Sequence, residues 1–89
     1  MNKTQVTKMD VLSVINELAA KGEDGKTTTK AIILRLGALF PDVHMKSELI
    51  IMGDLKRAGY LHYKPSEMAW WLTAAGKEML RNELQGQHY

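Results

Sequence analysis

The chain has 89 residues, 45% of them hydrophobic, with two prolines and no cysteine. That composition describes one small globular domain, residues 1–89, and excludes a disordered tail, a disulfide framework and a thiolate metal site. Twelve Lys and Arg against ten Asp and Glu leave a formal charge of +2, which permits contact with nucleic acid without arguing for it.

The opening "MNKTQVTKMD" is polar and lacks the apolar core of a signal peptide. The longest apolar runs, "LIIM" and "AWWL", are far too short to span a bilayer. A soluble, cytoplasmic protein with no membrane partner is expected. Thr7 stands three residues before Asp10 as a capping pair for a helix over 7–21, whose inner face carries Val11, Ile15 and Leu18, with Leu12 and Ala19 beside them. Gly22 ends it, and "GEDGK" reads as an exposed connection with little order. Thr27, Thr28 and Thr29 each supply an N-cap oxygen for a second helix, "KAIILRLG", with Ile32 and Leu36 one turn apart and Gly37 as its C-cap. Pro41 disfavours helix at Phe40, and Asp42 is placed to cap a third helix from about Val43 to Ala58, stopped by Gly59.

Past Gly59 the period becomes alternating. "YLHYK" and "EMAWWL" flank Pro65 and Ser66, so a β-hairpin is expected with Lys64-Pro65-Ser66-Glu67 as its turn. On the second strand Met68, Trp70 and Leu72 share one face, and Ala69 and Trp71 the other. Leu72 must point inward for the next helix to dock, which makes Trp70 the buried ring and leaves Trp71 facing outward. Either the last helix or the segment around Val6 and Met9 folds over Trp71, or it is an interface anchor. From Thr73, "AAGKEMLRNEL" resumes helical spacing through Met79, Leu80 and Leu84 despite Gly76, which costs about 1 kcal/mol against alanine. The ordered core is expected over about 7–84, and the tail 85–89 is expected to fray. The fold class is mainly α with a small hairpin, in the order helix, helix, helix, hairpin, helix.

Two segments, "LKRAGYLHY" at 55–63 and "WWLTAAGKEML" at 70–80, resemble the end of a recognition helix entering a wing, and the closing wing strand entering the last helix, of winged helix-turn-helix domains such as the MarR-like and PadR-like regulators. The similarity covers most of residues 7–84. It implies a DNA-binding transcriptional regulator of bacterial or phage type, acting as a homodimer on double-stranded DNA, with the third helix in the major groove. The dimer surface then uses the first and last helices, with Met79 and Leu80 beside Trp71.

If Met45, Leu49, Met52 and Leu55 face inward, the outer stripe of the third helix carries Lys46, Ser47, Ile50, Gly53, Asp54 and Arg57. Residues 42–54 contain no Arg, Asn or Gln, the side chains best suited to paired hydrogen bonds with bases, which departs from the family pattern. His44, Lys46 and Ser47 are the polar candidates near the helix start, and Ile50 can contact a thymine methyl. The connection after Gly37 is also longer than the family's tight turn. Phosphate contacts fall to Thr27, Thr28, Thr29 and the backbone N–H groups of that helix start, with Lys26 and Lys30 adjacent, Lys46 near the start of the third helix and Lys64 at the wing tip. Asp24, Glu48 and Glu67 interrupt this patch.

No catalytic constellation is found. His44, His62 and His88 lack metal-ligand spacing, the serines have no glycine elbow, and no phosphate-binding glycine loop occurs, so neither enzyme activity nor a cofactor is expected. The competing reading is a protein-interaction module on the same scaffold, binding a protein partner through Ile50 and Trp71.

Overall fold

A computed structural model describes residues 5–86, with side chains described as far as Glu83. Its first helix, α1 (Lys8–Lys21), begins with the expected box: Asp10 N–H donates to Thr7 Oγ1 at 3.1 Å and Thr7 N–H donates to the Asp10 carboxylate at 2.9 Å. Two of the four amide groups that a helix start leaves unpaired are thereby satisfied. Val11, Leu12 and Ile15 are wholly buried and form the centre of the core. Against expectation "GEDGK" is ordered: Glu23–Gly25 form a 3-10 turn with Asp24 and Gly25 at φ of 57° and 69°.

The threonine run then does two things that local propensity did not separate. Thr27 and Thr28 form a short strand, β1 (Thr27–Thr28), and Thr28 also caps α2 (Thr29–Leu39) by accepting from Ala31 N–H at 3.2 Å. Gly37 lies inside α2 rather than ending it, and the helix closes at Phe40, whose N–H donates to Leu36 O at 2.7 Å. Pro41 follows, and a short turn closed by Val43 N–H on Phe40 O, at 3.0 Å, delays the next helix. Helix α3 (Met45–Arg57) therefore begins two residues later than expected, with His44 rather than Asp42 at its N-cap and no side-chain cap bond.

At the end of α3 Gly59 takes φ 89°, Tyr60 N–H donates to Leu55 O at 2.9 Å and Gly59 N–H to Lys56 O at 3.1 Å. This paired closure satisfies the last carbonyls and turns the chain sharply into β2 (Leu61–Lys64). Glu67 N–H closes the expected turn on Lys64 O at 3.2 Å. Met68 does not join the strand: it sits at φ 49°, exposed, and β3 (Ala69–Leu72) starts one residue later. The hairpin pairs Leu61 with Leu72 and Tyr63 with Trp70, while β1 pairs with the other edge of β3, giving an antiparallel sheet in the order β1-β3-β2. The strand β1 is an addition to the expected hairpin. It forms because two β-branched residues meet the otherwise unpaired edge of β3.

Helix α4 (Ala74–Gly86) is capped by Thr73, whose hydroxyl donates to Gly59 O at 2.7 Å and accepts from Gly76 N–H at 3.0 Å. It extends past residue 84, so residues 85 and 86 are helical, and 87–89 lie outside the described residues together with His88. The result is a mainly helical α+β domain in which α1 packs against α2, α3, α4 and β3, with Leu61, Trp70 and Leu72 turned into one core. Each fully buried Leu or Ile contributes roughly 1.5–3 kcal/mol. Among the described residues no helix is long and apolar enough to cross a membrane.

Candidate nucleic-acid interface

The inner face of α3 is set by Met52 and Leu55, which meet α1 and β2, and the helical period then places Glu48 one turn before Met52. Glu48 is 1% exposed, and its Oε2 has no hydrogen-bond partner among the described residues. Burial holds its carboxyl above the usual carboxylate range. The expected inward face, with Met45 and Leu49, is thereby corrected: Met45 is 55%, Leu49 40% and Ile50 54% exposed. The run "LIIM" offered two overlapping inward arcs, and the position of the sheet under Met52 and Leu55 selects the one that includes a glutamate. No local signal identifies Met45 and Leu49 as surface residues, because the alternative arc is the more apolar one.

The outer side of α3 thus combines His44, Lys46 and Ser47 at its start with Leu49 and Ile50 in the next turn, all exposed. Arg57 is ion-paired with Asp54 one turn before it. Lys56 places its Nζ 5.7 Å from the ring centroid of Tyr63. Lys46 and Lys30 are exposed.

The threonine cluster is mostly turned to internal use. Thr27 is buried, and the Thr28 hydroxyl caps α2. Thr29 Oγ1 accepts from the Trp70 indole Nε1–H at 2.7 Å and faces Met68 O at 3.4 Å, which also accepts from Thr29 N–H at 3.0 Å. The expected phosphate role of Thr29 is therefore taken by a lock between the start of α2 and the hairpin turn. A half-buried indole N–H needs an acceptor, and this hydroxyl is the one within reach. The lock also places Lys64, paired with Glu67 at 2.5 Å, in the hairpin that adjoins the start of α2. The hydrogen bond from Lys64 is the main reason that the Glu67 carboxyl falls below its usual range, and Lys64 rises correspondingly.

Trp70 is 7% exposed and stacks on Tyr63 at 4.4 Å between ring centroids. Trp71 lies on the opposite face of the sheet but is half-buried rather than fully outward. His62, its cross-strand partner, stands 5.2 Å away and the Lys26 ammonium 5.1 Å from its ring. Of the two expected covers, the N-terminal segment is engaged elsewhere, with Val6 buried in the main core and Met9 packed on it, while the last helix brings Lys77 to a cleft beside Trp71. That cleft, of about 150 Å³, is lined by Asn16, Ala19 and Ala20 of α1 and Lys77 of α4. Lys26 is thus engaged with an aromatic ring. Leu80, expected at an interface, is 9% exposed and belongs to the core, whereas Met79 is half-buried at an open groove with Tyr60, Ala75 and Glu78.

Among the described residues no group of three or more His, Asp or Glu stands close enough to hold a metal ion. No protein-family model, curated protein or solved structure matches this chain.

Proposed function

We propose that the chain is a winged-helix DNA-binding domain, a transcriptional regulator of bacterial or phage type that acts as a homodimer on double-stranded DNA. The observation that carries this reading is the element order: two successive helices, α2 and α3, followed by a hairpin and a closing helix, which resembles the winged helix-turn-helix arrangement. In this reading α3 enters the major groove from His44, Lys46 and Ser47. Lys30 and the start of α2 meet phosphates, and Lys64 reaches the flanking backbone. The charge balance of α3 supports it: Lys46, Lys56 and Arg57 are exposed, Asp54 is the opposing surface charge, and Glu48 is turned inward. The dimer surface uses α1 and α4 with Met79, and self-association relieves the thin core of so short a chain.

The test is fluorescence anisotropy with random-sequence duplex DNA at several ionic strengths. The logarithm of the affinity is expected to fall linearly with the logarithm of salt, by about 0.9 for each phosphate contacted. Charge reversal of Lys30 and Lys46 together, K30E with K46E, should abolish binding while leaving the thermal transition in place. A wild-type chain that fails to bind duplex DNA at low salt refutes the proposal.

One observation favours a second reading. Three large apolar side chains exposed on one helix, with Trp71 half-buried on the far face of the sheet, suit a protein-interaction module. Its partner binding is then lost in I50D while DNA is ignored.

A further inference from the structure

From the outer face of α3 we infer that this domain selects duplexes rich in thymine, reading the C5-methyl groups in the major groove by apolar contact. The inference rests on the DNA-binding reading and concerns what that same face prefers. Lys46, Ile50, Gly53 and Arg57 follow one another at three- and four-residue spacing, so they form one stripe, with Leu49 beside it and Met45 one turn before Leu49. Ile50 and Met45 are each more than half exposed and Leu49 is 40% exposed, which sets a patch of aliphatic surface at the part of the helix nearest its start.

The hydrogen-bonding side chains on the stripe are otherwise committed or sit at its margin. Asp54 and Arg57 hold each other, and His44, Lys46 and Ser47 cluster at the amino-terminal end. Discrimination along the middle of the helix then falls to shape and apolar contact. The thymine methyl is the one apolar group that the unmodified major groove presents. The rim of the patch matches the occupant as well. Lys46, Lys56 and Arg57 outnumber Asp54 at the surface, and Glu48, the remaining acid of α3, is sealed in the core. An apolar centre fringed by cations complements a groove with methyls on its floor and phosphates on its walls. Gly53 lets that floor approach closely: a Cβ there meets nothing nearer than Arg57 Nη1, at 3.5 Å, so no packing within the domain requires a glycine.

The experiment compares one A·T-rich duplex with the same duplex in which deoxyuridine replaces thymidine. The exchange removes the methyl groups and leaves the phosphates, the pairing and the hydrogen-bonding edges in place. Affinity is expected to fall about fourfold for one methyl contacted and more than tenfold for two. In I50A, whose altered side chain lies at the surface, the ratio of the two affinities should shrink toward one. A G·C duplex carrying 5-methylcytosine should bind more tightly than its unmethylated form. Equal affinity of the wild type for the thymidine and deoxyuridine duplexes, both bound in a salt-dependent way, overturns the inference and leaves DNA binding standing. Failure to bind either duplex at low salt overturns both, and capture of a protein through the same face, lost in I50D, would then assign the patch to that partner.

Discussion

Among the glycines within helices of this domain, Gly37 in α2 and Gly76 in α4 are predicted to respond with opposite sign to replacement by alanine. Helix propensity alone favours alanine at both, by about 1 kcal/mol. At Gly37 nothing lies within 4 Å of an added Cβ, so G37A should gain about 0.5–1 kcal/mol. At Gly76 a Cβ would stand 2.2 Å from Tyr60 O, 3.1 Å from its carbonyl carbon and 3.4 Å from Leu72 Cγ. A carbon meets a carbonyl oxygen comfortably only at about 3.3–3.6 Å, so α4 or the α3–β2 turn must move by roughly 1 Å. That oxygen also accepts Thr73 N–H at 3.1 Å, and Thr73 in turn ties to Gly59, so the movement loosens the cap of α4 and the turn together. Overpacking of this kind typically costs about 1–3 kcal/mol and exceeds the propensity gain, here because the obstacle is backbone and not a side chain that can rotate. With a transition that shifts by about 4–8 °C per kcal/mol at this size, G76A should melt several degrees lower and G37A several degrees higher than the wild type. Circular dichroism on heating measures both. A G76A variant as stable as the wild type would show that α4 does not dock against Tyr60 as described.

Other outcomes follow from the same contacts. Because burial raises the Glu48 carboxyl above its usual value of 4.5, the folded chain retains a proton that the unfolded chain has released; this contribution is full below the unfolded value and is lost as pH rises through the folded one. E48M should therefore gain about 1–3 kcal/mol in urea denaturation at pH 7.5, with a smaller advantage at pH 4.5. A loss at pH 7.5 would mean that the carboxylate has a stabilising partner. T29V removes the acceptor of the Trp70 indole and should cost about 1–2 kcal/mol, whereas W70F in the T29V background should cost less than in the wild type, as a double-mutant cycle reports. E67Q frees Lys64 from its ion pair, so duplex affinity should rise and the salt dependence should steepen by up to about 0.9. Unchanged binding would take Lys64 off the DNA face.

Local features of the sequence reached the structure where one short-range interaction settles the matter. The Thr7–Asp10 box, the glycine turn at residue 59, the turn around Pro65 and the inward placing of Trp70 all depend on chemistry within a few residues, and all appear in the fold. The ends of α2 and α3 were less legible. Gly37 and Asp42 are favourable for a cap and a start, but the bond from Phe40 N–H to Leu36 O and the turn at Phe40–Val43 decide the boundary instead. Of the proposed site, the exposure of Lys30, Lys46 and Lys64 was legible, because lysines on helix starts and turns remain at the surface whatever the packing. It was not legible in Thr29, since nothing in the threonine run tells which hydroxyl meets an indole forty-one residues away.

The amino-acid sequence by itself determined the succession of helices and hairpin, because periodicity and end signals act through neighbours along the chain. The tertiary structure alone decided the rotation of α3. A run of four apolar residues surrounds more than half a turn and fits a core from either side, so its phase is fixed by where α1 and the sheet press on Met52 and Leu55. That choice sealed Glu48 inside and turned Met45 and Leu49 to the surface beside Ile50, which faces outward in either phase.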